Sequence, residues 1–126
     1  MVVKVLDASA FAALLFGEPE AELVAERLRA SRLVAPALLP FEVASVCLKK
    51  IRRHPDMRER LLAAYALRAS APVEEVEVSL EDVLALAEKH RLTCYDASYL
   101  WLALQLKAEL VTLDERLGRT AEKLLA

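Results

Sequence analysis

The stretch Val2 to Phe16, VVKVL-D-ASAFAALLF, decides the fold. Val2 to Leu6 is almost wholly apolar and rich in β-branched residues, which reads as a short strand buried on both faces. Ala8 to Phe16 has helical composition, and Gly17 supplies a C-terminal stop. A buried strand running into a helix through a single acid, Asp7, is the opening of a parallel α/β arrangement.

The remainder of the chain repeats that grammar. Pro19 suits the first turn of a helix from Glu20 to about Ala30, whose Leu23, Val24 and Leu28 share one face. Leu33 to Ala35 is a brief second strand ended by Pro36, and helices are predicted from Pro40 to about Arg53 and from Met57 to about Arg68. Val73 to Val78 alternates apolar and acidic residues, as a strand with one wet face does. Ser79 and Asp82 form a capping box that opens a helix from Leu80 to about His90. Tyr95 to Leu106 is a mostly apolar helix, Leu110 to Thr112 a last buried strand, and Asp114 to Leu125 a terminal helix. Strands separated by single helices or helix pairs imply a mainly parallel sheet of four to five strands covered on both faces.

At 126 residues the chain is expected to form one domain, residues 1–126, with no internal repeat or low-complexity segment. Hydrophobic residues reach 56%, yet no apolar run approaches the roughly 20 residues of a membrane span, so the excess is assigned to a well-filled core and a protein interface. No secretory signal precedes the first strand, and a cytoplasmic location is expected. Cys47 and Cys94 have no CxxC spacing and are expected in the core as small hydrophobes. His54 and His90 are read as structural or solvent-facing. There is no Asn and a single Gln, Gln105, a scarcity of thermolabile amides compatible with a hot source or with a GC-rich genome.

Four acids resist a packing explanation. Asp7 ends VVKVL, Glu42 is nearly alone in LVAPALLPFEVASVCL, Asp96 precedes ASYLWLAL, and Asp114 ends ELVTL. A lone buried carboxylate costs several kcal/mol unless it is paired or metal-bound. Asp7 and Asp114 fall just past predicted strand ends, where ligands bind in open parallel sheets, and Glu42 and Asp96 fall near helix N-termini, where the dipole tolerates negative charge. Two carboxylates about 5 Å apart repel by roughly 3 kcal/mol at an effective dielectric of 20, so a cluster of four calls for protons or a divalent cation. Oxygen-only ligands favour Mg²⁺ or Mn²⁺ over zinc. Two plainer readings stay open: Asp7, Asp96 and Asp114 as helix N-caps, and Glu42 paired with an Arg from another helix.

Other chemistries lack their residues. Gly17 and Gly118 are the only glycines, which excludes a GxGxxG loop or a P-loop, and no Ser or Cys sits in a nucleophile elbow. The formal net charge is -2, but setting the four acids aside leaves a mildly basic remainder, so total charge does not exclude a nucleic acid. The basic run Lys49, Lys50, Arg52, Arg53, His54 is either a phosphate contact or a solvated helix end. Tyr99 and Trp101 are read as core residues, with base stacking the lesser alternative.

The segments VVKVLDASAFAALLFGEPEAE, PFEVASVCLKK, YDASYLWLAL and LVTLDERL together resemble a PIN domain of the VapC toxin type, across almost the whole chain. The resemblance implies a three-layer α/β/α sandwich and a Mg²⁺- or Mn²⁺-dependent endoribonuclease. It also implies a homodimer restrained by a small VapB-like antitoxin, with RNA as substrate and no membrane partner. It maps Asp7, Glu42, Asp96 and Asp114 onto the family's acidic quartet, as catalytic and metal-binding residues, and Ser9 and Thr112 onto its supporting hydroxyls. Many relatives continue into a final short strand, whereas this sequence stops at Leu124-Leu125-Ala126. The rival readings are a catalytically inactive interaction module of the same fold and a receiver-type phosphoacceptor. The latter wants a lysine after a late strand, where this chain has Thr112-Leu113-Asp114.

Overall fold

A computed structural model describes residues 1–126. Four strands form one parallel sheet: β1 (Val2–Leu6), β2 (Ser31–Pro36), β3 (Val73–Val76) and β4 (Glu109–Val111), in the spatial order β3-β2-β1-β4. β1 is paired on both sides, with Val5 opposite Val34 and Leu110, which is why its apolar run shows no alternation. β2 ends on Pro36, and the amide of the next residue, Ala37, takes up the ladder by donating to Val76 O. A proline lacking an N–H is tolerated at that terminal position. The predicted wet strand is shorter than the sequence suggests, stopping at Val76.

Seven helices flank the sheet: α1 (Ala8–Phe16), α2 (Ala21–Leu28), α3 (Leu39–Arg53), α4 (Arg58–Ala66), α5 (Leu80–His90), α6 (Cys94–Leu106) and α7 (Glu115–Leu125). They fall into two groups by contact. α1 packs against α2, α3 and α4, whereas α6 lies across β1, β2 and β4 with α5 and α7 beside it. This is the parallel sheet covered on both faces that the strand and helix pattern predicted, and the α/β/α sandwich that the resemblance implied. α4 is trimmed relative to its predicted span, because short 3₁₀ turns occupy Pro55–Met57 and Leu67–Ser70. α6 carries Tyr99, Leu100, Leu102 and Ala103 into the main core, so its sequence is apolar nearly all round.

The chain runs from β1 outward through β2 to β3, then returns to place β4 on the other side of β1. Strand order therefore reverses at the carboxyl ends of β1 and β4, the place where open parallel sheets present a site. Two buried-cysteine expectations divide here. Cys47 is buried, but Cys94 is exposed, because it opens α6 directly after its cap, Thr93, on the outward side. No helix is long and apolar enough to cross a membrane.

Helix ends are closed by left-handed residues. Gly17 occupies φ 63° without steric cost, but Arg91 and Lys107 hold φ 54° and 51° with full side chains. Lys107→Gly is expected to raise stability by about 0.5–1 kcal/mol in urea unfolding, since its side chain is exposed and its backbone is strained.

Candidate active site

Asp7 leaves the central strand and caps α1. Its Oδ1 accepts from the Ala10 amide at 3.0 Å and from Ser9 Oγ at 2.7 Å, and its Oδ2 accepts from Thr112 Oγ1. Ser9 Oγ in turn accepts from the Leu113 amide at 2.9 Å, and Thr112 Oγ1 from the Asp114 amide at 3.0 Å. These bonds tie the turn after β1 to the turn after β4. Asp7 is only 5% exposed, and burial pushes its pKa above the ordinary 3.8 despite the opposing donors Thr112, Ala10 and Ser9. The negative charge of Asp96 adds to that rise.

Asp96 is the third residue of α6, whose cap is Thr93, the hydroxyl accepting from the Asp96 amide at 3.1 Å. Capping therefore does not explain Asp96, although it does describe Asp7 and Asp114, the latter accepting from the Leu117 amide at 2.9 Å. Burial raises the Asp96 pKa, Asp114 raises it further, and Thr93 and Arg116 oppose. Glu42, fourth in α3, is half-buried, and its Oε1 is enclosed with no hydrogen-bond partner. Burial lifts its pKa too, with Asp96 and Asp7 contributing in that order after the opposing hydroxyl of Tyr99.

The structure thus brings the four acids into one electrostatic neighbourhood. Glu42 feels Asp96 and Asp7, Asp7 feels Asp96, and Asp96 feels Asp114. None of the six ion pairs in the molecule involves any of them, so the Arg partner considered for Glu42 does not exist. Ser9 and Thr112, the two hydroxyls singled out in the sequence, both donate to Asp7.

The basic run stands elsewhere. Lys50 pairs with Glu18 and lies 5.5 Å from the Phe16 ring centroid, and roughly 16 Å of helix separates Arg53 from Glu42. A groove of about 990 Å³ beside β4 reaches Thr112 and Asp114 but not Asp7, Glu42 or Asp96, so the site is defined by its charges and not by that groove.

Whether the residues suit a hard cation follows from their chemistry. The donors are all carboxylate oxygens, no lysine or arginine is ion-paired with them, and one buried oxygen is orphaned. No three His, Cys, Asp or Glu side chains lie close enough together to ligate one ion directly. A hard cation held here would keep several waters and use one or two carboxylates directly, as Mg²⁺ does, and would have no all-protein cage.

Two contributors escaped the sequence reading. Thr93 and Asp96 have the same cap spacing as Ser79 and Asp82, a signal present in TCYD but overshadowed by the apolar helix it opens. Tyr99 lies three residues after Asp96 and so on the same face of α6; read as core, it also carries a hydroxyl beside Glu42.

The PIN domain family model matches residues 4–123, and the chain belongs to that family. Among its relatives, ribonuclease VapC3 of Pyrobaculum aerophilum is 37% identical over 120 residues, covering 90% of this chain and 91% of the relative. Ribonuclease VapC9 of Mycobacterium tuberculosis is 36% identical over 123 residues, covering 94% and 91%. The crystal structure of PAE2754 from Pyrobaculum aerophilum superposes with a TM-score of 0.75 at 27% identity, covering 98% of this chain and 93% of that one.

Two outcomes test the site. Thr112→Val removes a donor from a buried carboxylate and is expected to cost about 1–3 kcal/mol of folding stability in urea unfolding. For Asp96 the sign follows from its raised pKa: the folded state binds the proton more tightly, so ionisation costs stability as pH rises above the unfolded value near 3.8. Without divalent ions, Asp96→Asn should therefore raise the melting temperature at pH 7 by a few degrees, a gain that disappears below about pH 4.

Proposed function

We propose that this chain is a Mg²⁺- or Mn²⁺-dependent endoribonuclease that hydrolyses RNA phosphodiester bonds, acting in the cytoplasm as the toxin of a toxin-antitoxin pair. The observation that carries the reading is the acidic quartet, without ion-pair partners, at the strand-order reversal, in a chain whose relatives are named VapC ribonucleases. An RNA phosphate is itself anionic, so this neighbourhood repels its substrate unless a cation intervenes.

Asp7 and Asp96 would hold one or two ions directly, with Glu42 and Asp114 as water-mediated ligands. A bound divalent ion lowers the pKa of water and neutralises charge on the phosphoryl group. Ser9, Thr112 and the Ala10 amide fix Asp7, so its carboxylate needs no rearrangement when substrate arrives. The hydroxyl of Thr112 spends its proton on Asp7 and accepts from the Asp114 amide, which sets the spacing of two acids at once. No side-chain nucleophile is required.

The partner reading rests on exposed apolar side chains. Leu80 and Leu84, one turn apart on α5, are 72% and 62% exposed, the pattern of a helix face that a homodimer or a small VapB-like antitoxin would cover. An inactive interaction module of the same fold would keep such a face and lose nothing on neutralising the quartet.

Cleavage of a single-stranded RNA in Mn²⁺ is expected to fall by roughly 100-fold or more in Asp7→Asn and to stop on adding chelator; activity that survives both ends the nuclease reading. For assembly, light scattering at micromolar concentration is expected to give twice the 14.0 kDa chain mass, and a monomer mass would contradict the dimer.

A further inference from the structure

Tyr99 is 1% exposed in the middle of the buried helix α6, among Leu100, Leu102 and Ala103, where a phenylalanine would fill the same space. Its hydroxyl is nevertheless enclosed with no hydrogen-bond partner, and the other enclosed side-chain oxygen without one is Glu42 Oε1. An orphaned buried hydroxyl and an orphaned buried carboxylate oxygen each carry a desolvation cost that no hydrogen bond offsets. The two belong together. The Tyr99 hydroxyl and the Glu42 carboxylate are neighbours with no hydrogen bond formed between them.

We propose that Tyr99 is the positioning residue for Glu42, its hydroxyl reserved on α6 to donate to the Glu42 carboxylate on α3 when the site is assembled. The inference rests on the ribonuclease reading and adds to it a residue outside the acidic quartet. Tyr99 lies one helical turn after Asp96, so a bond to Glu42 fixes the acid of α3 relative to the acid of α6. Glu42 otherwise has no anchor, whereas Asp7 has three donors and Asp114 has the Leu117 amide. A hydroxyl kept in the core at a cost in stability is what a supporting partner of a ligand looks like.

The test is a double-mutant cycle on the full chain with Tyr99→Phe, Glu42→Ala and the pair, read by Mn²⁺ affinity in calorimetry, by kcat and KM on RNA, and by thermal unfolding. Tyr99→Phe should fold with an equal or higher melting temperature, since it removes an unsatisfied group. It should weaken Mn²⁺ binding and lower kcat by about 10-fold with KM little changed, and add no further loss in the Glu42→Ala background. An unchanged Mn²⁺ affinity in Tyr99→Phe, or an equal loss with and without Glu42, overturns the inference. Absence of Mn²⁺-dependent cleavage in the wild type would instead sink the ribonuclease reading, while the affinity cycle still decides the role of Tyr99.

Discussion

The carboxylate of Asp7 is enclosed at the end of the central strand, and the arrangement around it depends on keeping that charge solvated by protein. Water cannot do it at 5% exposure, so the Ala10 amide, Ser9 and Thr112 take its place. Because Thr112 belongs to the turn after β4, satisfying Asp7 also fixes the two strands at which sheet order reverses. The same turn positions Asp114. A requirement that begins as the desolvation of one oxygen pair thus sets the geometry of a site drawn from both ends of the chain.

The molecule handles negative charge in two opposite ways. At Glu109, which is exposed, partial desolvation pushes the pKa up, yet the hydrogen bond from Arg27 and the charge of Lys4 bring it below the ordinary value. At Asp7, Glu42 and Asp96 burial also leads, other acids add to it, and the Arg116 charge near Asp96 does not reverse the rise. Glu109 has ion-pair partners within the chain, and no acid of the quartet has one. Destabilisation concentrated at one place is the pattern of a site arranged for something other than stability.

Much of this was legible beforehand because burial leaves a strong mark on sequence. β1 and α6 have no wet face, so their apolar runs announce both the sheet and its covering helix, and an acid interrupting either stands out. Strand ends and caps could be placed within a few residues from Asp7, Gly17, Ser79 and Asp114. Cys94 was misplaced because residue type says little about orientation at the first position of a helix, where one side faces outward whatever follows. The hydroxyl of Tyr99 was hidden for the converse reason. An aromatic at core spacing is explained by its ring, and only three-dimensional proximity shows that the oxygen faces an unsatisfied acid. The relation between Lys50 and Glu18, which draws the basic run into packing, likewise depends on a meeting of distant segments.

The central claim is that these acids are left without ion-pair partners in order to receive a hard divalent cation. A crystal structure grown with Mn²⁺ and measured at its absorption edge tests it most directly. The account requires an anomalous peak within ligating distance of Asp7 and Asp96, with Glu42 and Asp114 in water-bridged contact. An empty site, or a quartet neutralised by arginine or lysine side chains swung in from α7, would contradict it.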